Sequence, residues 1–238
     1  MSSGEDQQGN LQTPLDMLGI MGSQQAMLAP GLRHLELYGR RGLLGVLWHE
    51  PAGNPRKVGV VMVGGAMGGL MGPGDALYHV LGEDFAARGI PAMRITYRRP
   101  NDLDACCVDA AAAVQMLVST GCEQVIVMGH SFGGAVAVRV AVGLPAMVCG
   151  VVTFATQSAG CEVAAGLQGR PFLLFHGDRD EILPLESSQI VREMAGCGEL
   201  RILPGHGHLL SKSHDVMREE TVAWCDAIFM TIESARGS

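Results

Sequence analysis

Two periodicities of apolar residues alternate along most of this chain. Short, nearly continuous apolar runs at 58–63, 92–97, 124–128, 148–155, 172–175 and 200–203 predict strands buried on both faces. Between them, helically spaced apolar positions predict helices near 75–88, 103–119, 132–142, 185–194 and 213–233. Strands alternating with helices are the signature of an α/β fold with a mostly parallel central sheet covered by helices on both faces. Upstream, 32–38 and 43–49 form a hairpin pattern around the turn Gly39-Arg40-Arg41-Gly42. Residues 1–30 are polar and Gly/Gln-rich at first. There, Thr13-Pro14 is a helix-start signal, so the segment reads as a tail or a short helix ahead of one domain over 31–238.

Composition narrows the partners. The 238 residues are 47% hydrophobic, enough for one large core. Net charge is -7 with no dense Lys/Arg block, which disfavours nucleic acid and anionic membrane and favours small uncharged or acyl ligands. Residues 1–30 contain no Lys or Arg, so the basic start of an export signal is missing. The seven cysteines include no C-x-x-C pair, which suits a reduced, cytoplasmic setting. An uncharged stretch over 140–161 imitates a membrane span. Pro145 and the polar Thr153, Thr156, Gln157 and Ser158 interrupt it, so a helix end followed by a buried strand is expected instead. Oligomeric state is left open.

Chemistry concentrates first at Gly129-His130-Ser131-Phe132-Gly133. The β-branched run Val125-Ile126-Val127 leads into it and a small-residue helix leads out. A serine between strand and helix turns so tightly that the positions two before and two after it need glycine, and the turn lifts its hydroxyl clear of the sheet. Ser131 is therefore a candidate nucleophile.

A serine hydroxyl needs an imidazole to take its proton and an acid to hold that imidazole. His176-Gly177-Asp178-Arg179-Asp180 follows an apolar strand and puts Asp180 at the carboxyl edge of the sheet, where open α/β folds build their sites. Asp178 directly follows the turn glycine, a place where Asp commonly serves the turn. Pro204-Gly205-His206-Gly207-His208 follows the last strand, and its glycines make a side-chain-poor loop able to present either His206 or His208.

On these three motifs the chain resembles the α/β-hydrolase superfamily from about Leu32 onward. It is most similar to the small lidless serine esterases of the dienelactone-hydrolase-like and prolyl-oligopeptidase-like groups. The resemblance implies a triad of Ser131, Asp180 and His208, with no cofactor and no metal. Residues 156–171 leave room for a short helix and not for a cap domain.

Similar enzymes often carry His-Gly after the third strand, whereas this chain has Gly64-Gly65-Ala66-Met67-Gly68-Gly69. Backbone N–H groups of Ala66 or Met67, with Phe132, are the expected oxyanion hole, each worth on the order of 3 kcal/mol of barrier. No nucleotide-binding glycine pattern is present. His206, His208 and His214 lack the paired cysteines or H-E-x-x-H that metal binding requires. Arg98 and Arg99 are expected in structural ion pairs, and Met67, Leu70, Met71 and Leu183 in an apolar lining.

The expected activity is hydrolysis of a small, largely apolar carboxylic ester or thioester through an acyl-enzyme. A peptidase or acyltransferase on the same triad, and a non-catalytic ligand-binding module of this fold, are the alternatives.

Overall fold

Strand β4, Val58–Val63, is buried along its whole length, and successive side chains leave it in opposite directions. Val58, Val60 and Met62 enter one apolar cluster while Val61 and Val63 enter another. A strand packed on both faces needs no polar alternation, which is why its sequence reads as an unbroken apolar run.

The computed structural model describes residues 13–236. Around β4, nine strands form one sheet in the order β1-β2-β3-β5-β4-β6-β7-β8-β9. The first three, β1 (Ile20–Ala29), β2 (Leu32–Gly39) and β3 (Gly42–His49), pair antiparallel, and β3 meets β5 (Ala92–Ile95) antiparallel. From β5 through β4 to β6 (Gln124–His130), β7 (Val148–Phe154), β8 (Phe172–Gly177) and β9 (Glu199–Leu203), all pairings are parallel.

Helices α2 (Pro73–Ala87) and α6 (His214–Arg236) cover one face, where Leu77, Tyr78 and Phe85 join Met217, Cys225 and Phe229. The other face carries α1 (Pro14–Leu18), α3 (Leu103–Ser119), α4 (Phe132–Gly143) and α5 (Glu186–Ala195). After β4 the chain crosses to β5 on one side and then returns to β6 on the other. The carboxyl ends of β4 and β6 therefore flank a topological switch point, the usual place for a ligand site in such sheets. Between β7 and β8 only a 3-10 turn, Ala164–Leu167, is inserted, and among the described residues no cap domain covers the carboxyl edge.

Three sequence expectations need correction. Residues 20–29, read as tail or helix, form the ten-residue strand β1 at the sheet's end, and residues 1–12 lie outside the described residues. The period-two signal is absent there because all ten positions are exposed, so neither face had to be apolar. β5 stops at Ile95 rather than Tyr97: the Thr96 hydroxyl accepts from the Gly45 N–H at 2.8 Å, and Tyr97 turns its hydroxyl to the Gly64 carbonyl at 2.9 Å. Helix α2 opens on three left-handed residues, Gly74, Asp75 and Ala76, which no periodicity signal could report.

Arg98 and Asp109 form a buried ion pair that ties β5's exit to α3, and Arg98 Nη1 also donates to the Leu18 carbonyl at the end of α1. Arg99 pairs with Asp102 at 3.2 Å on the surface. The Asp109 side chain is 0% exposed and accepts the Arg98 N–H as well. Removing one partner of such a pair strands the other charge. Asp109→Ala is expected to cost about 3–5 kcal/mol in equilibrium urea unfolding, whereas Asp104→Ala, on an 88% exposed side chain, leaves the midpoint nearly unchanged.

Candidate active site

Ser131 occupies the single residue between β6 and α4, at φ 57° and ψ -119°, a region a non-glycine residue enters only when its surroundings impose it. The imposition is backbone contact. A Cβ at Gly129 would lie 1.9 Å from the Gly133 carbonyl oxygen, and one at Gly133 would lie 2.3 Å from that of Gly64. Glycine at both positions lets β6, α4 and the loop after β4 pass within touching distance. The Ser131 N–H donates to Phe154 O at 2.8 Å, which anchors the elbow to β7.

Asp180 and His208 meet directly: His208 Nδ1 donates to Asp180 Oδ2 at 2.8 Å. The carboxylate is fully buried, and its other oxygen accepts the N–H groups of Ile182 and Leu183 at 2.9 and 2.8 Å. Burial alone would raise the Asp180 pKa, but those backbone donors and His208 outweigh it and hold the carboxyl below its usual value. A proton committed to Nδ1 leaves Nε2 of His208 as the ring's lone-pair nitrogen.

The rival residues turn elsewhere. Asp178 accepts the Gly205 N–H, a loop contact. His206 donates from Nδ1 to the Pro204 carbonyl at 2.9 Å and accepts from the Ser213 hydroxyl at 2.7 Å. His214 pairs with Asp215 at 3.2 Å.

Ser131 makes no hydrogen bond to this pair. Among the described residues its hydroxyl has no hydrogen-bond partner, and the link to His208 runs through the preceding residue. His130 Nε2 donates to the His208 carbonyl at 3.2 Å, with ring centroids 5.0 Å apart.

The glycine loop after β4 closes the other side. Gly65 to Gly68 make a turn, with the Gly68 N–H on the Gly65 carbonyl at 2.9 Å, that carries Ala66 and Met67 at its tip. A Cβ on Gly65 would fall 3.7 Å from Ser131 Cβ. Phe132 is the first residue of α4, so its N–H precedes the helical ladder.

Three supporting residues carried no assigned role in the sequence reading. His176, ending β8, is 0% exposed. Its Nε2 lies 3.0 Å from the Leu183 carbonyl and 3.2 Å from Asp180 Oδ2, while Nδ1 accepts from the Ser188 hydroxyl. His130 is the second. Arg94 is the third: buried in β5, it donates to the Leu70 carbonyl at 3.1 Å and to His49 Nε2 at 3.0 Å, bracing the loop that holds Ala66 and Met67. Its signal in the sequence is a lone arginine inside an apolar strand.

Met67, Met71, Ile182 and Leu209 are all half or more exposed on loops at this edge, whereas Leu183 is partly buried. A groove of about 670 Å³ between Val148, Pro171 and Trp224 lies at the opposite, amino ends of the strands, remote from this chemistry.

The sequence profile of the dienelactone hydrolase family matches residues 86–228, which include Ser131, Asp180 and His208. The chain belongs to the dienelactone hydrolase family. No curated protein sequence matches it. Solved structures share its fold. An alpha-beta serine hydrolase homologue from Coxiella burnetii is 18% identical, with 83% of this chain and 97% of that chain covered at a TM-score of 0.67. A serine hydrolase without lid from Xanthomonas campestris is 17% identical over 85% and 97%, TM-score 0.66. Dienelactone hydrolase from Anabaena variabilis is 16% identical over 85% and 96%, TM-score 0.68. Family and fold together make the chain an α/β hydrolase without a cap.

Burial pushes the His130 imidazole of this family member from 6.5 down to about 4. Between those values the unfolded chain takes up a proton that the folded chain refuses, so stability falls with falling pH. For His130 this share is on the order of 2 kcal/mol between pH 7 and pH 5. Urea midpoints at the two pH values should therefore differ less in His130→Gln than in the parent.

Proposed function

We propose that this hydrolase cleaves a small, largely apolar carboxylic ester or thioester through a serine acyl-enzyme. The observation that carries the reading is the buried Asp180 carboxylate holding His208 Nδ1 at 2.8 Å, with Ser131 on a strained elbow whose preceding residue, His130, bonds the His208 carbonyl. His208 Nε2 takes the Ser131 proton as Oγ attacks the acyl carbon, then returns it to the leaving alcohol or thiol. Asp180 stabilises the imidazolium so formed, and its backbone donors keep it ionised while it does so. Water, activated by the same nitrogen, releases the acid and restores the serine.

The free N–H of Phe132 and one from the Ala66-Met67 turn face the developing oxyanion in this reading. Gly65 brings that turn beside Ser131. Without substrate, the contact between nucleophile and base is commonly longer than a hydrogen bond and closes in the Michaelis complex. The exposed apolar side chains Met67, Ile182 and Leu209 around the rim support an apolar acyl or alcohol group. No cofactor enters any step.

Ser131→Ala should abolish covalent labelling by a fluorophosphonate and lower p-nitrophenyl ester turnover by roughly 10⁴-fold or more, with an unchanged thermal midpoint. His208→Ala should match it, while Asp178→Asn and His206→Gln keep most activity. Labelling that survives in Ser131→Ala, or activity that follows His206 instead of His208, overturns the assignment. Turnover of aminoacyl amides in place of esters would transfer the same triad to a peptidase.

A further inference from the structure

The two ends of the nine-stranded sheet are built differently. β9 has five residues and carries Glu199 and Arg201, which pair with each other and, through Arg201, with Glu220 of α6. Short length and charge are the usual protection of an exposed strand edge. β1 has neither: it is ten residues long, exposed throughout, and Ile20-Met21-Gly22-Ser23-Gln24-Gln25-Ala26-Met27-Leu28-Ala29 contains no charge and no proline. Among the described residues no strand pairs with its outer side.

Backbone alternation identifies the groups on that outer side. The two-residue turn Arg40-Arg41 closes the β2–β3 hairpin on the pair Gly39–Gly42, which is therefore a hydrogen-bonded pair. Odd-numbered residues of β2 then bond β3, and even-numbered ones face β1, as the Arg40 N–H does in donating to the Gly19 carbonyl at 3.3 Å. Gln24 sits opposite Glu36 and thus spends its backbone groups on β2. The N–H and C=O groups of Ser23, Gln25 and Met27 point outward, and β1 runs in regular register over Gly22–Met27, between its two irregularities.

We propose that a second copy of this chain fills that edge, with β1 pairing antiparallel to β1 about a two-fold axis at Gln24. A two-fold perpendicular to the sheet requires one residue to face itself, and centring it on Gln24 gives a self-matching strand. The Gln24 side chain meets the partner's Gln24, Ser23 meets the partner's Gln25, and Gly22 meets the partner's Ala26. The exposed Met27, 56% accessible, closes each end of this regular stretch. In this register Ser23 and Gln25 exchange hydrogen bonds through the backbone groups that β2 leaves free. An uncharged strand suits an uncharged partner, and its own copy is one. Because each copy has one long free edge and guards the other with charge, the contact is isologous and closes at two copies rather than growing into a fibre.

Sedimentation velocity on the full chain tests this. The wild type is expected to sediment at twice the 25.1 kDa chain mass. Gln24→Lys sets two ammonium groups face to face and should weaken association by roughly tenfold or more, with circular dichroism unchanged. After mild oxidation Gln24→Cys should give a covalent dimer on a non-reducing gel, whereas Gln25→Cys and the wild type, treated alike, should not. A wild type that stays monomeric over the whole concentration range overturns the proposal. So does a dimer that survives Gln24→Lys and fails to cross-link through Gln24→Cys, since it would have formed on another face.

Discussion

Backbone passes backbone at van der Waals distance along the carboxyl edge of this sheet, and everything at the candidate site depends on that approach. At the elbow, Gly129 and Gly133 let β6 and α4 fold against the loop after β4 with no intervening Cβ. At the neighbouring strand the same device recurs. A Cβ on Gly177 would sit 2.0 Å from the His206 carbonyl oxygen, so the end of β8 and the loop carrying His208 can share one volume. These contacts fix the distance between loops that are far apart in sequence. Without them the acid and the imidazole would belong to separate surfaces.

Electrostatics then selects among the side chains delivered to this edge. Asp180 has lost all solvent, yet it stays ionised because two backbone N–H groups and His208 replace the water. His176 adds a third neighbour and is itself held below its free pKa by burial, with Leu183 and Ser188 occupying its two ring nitrogens. The result is a buried anion whose hydrogen-bond donors are already in place. Arg94 plays the complementary part under the loop after β4. It is a buried cation satisfied by a carbonyl and by ring nitrogens of His49 and His79, and burial lowers its pKa to about 10.

Much of the architecture was legible because each element answers to a local demand. Unbroken apolar runs such as 58–63 can only be strands covered on both sides, and their alternation with helical spacing implies a parallel sheet. The elbow was legible for a similar reason: a serine between strand and helix, flanked by Gly129 and Gly133, has few other backbone solutions. Less legible were features whose cause lies outside their own segment. β1 has no buried face to impose a pattern, so only its pairing with β2 makes it a strand. The left-handed opening of α2 follows from docking, since the Gly74 N–H donates to the Leu209 carbonyl at 2.7 Å.

The histidine loop marks the boundary between the two kinds of information. Sequence alone determined that a strand end, a glycine-rich turn and two imidazoles fall together at residues 204–208, because glycine content and apolar periodicity are local properties. The residues of that loop left His206 and His208 both open, and only the resemblance to known hydrolases favoured His208. What tertiary structure adds is direction: Asp180 Oδ2 meets Nδ1 of His208, while the His206 ring is bound to Pro204 and Ser213. Asp178 and Asp180, two residues apart, were separable from the sequence because Asp178 sits in the turn, and only Asp180 has its carboxylate buried against an imidazole. Direction of a side chain out of a loop is set by what packs around it, and for His208 those neighbours are Asp180 and Glu181, in the loop after β8 and more than twenty residues away in sequence.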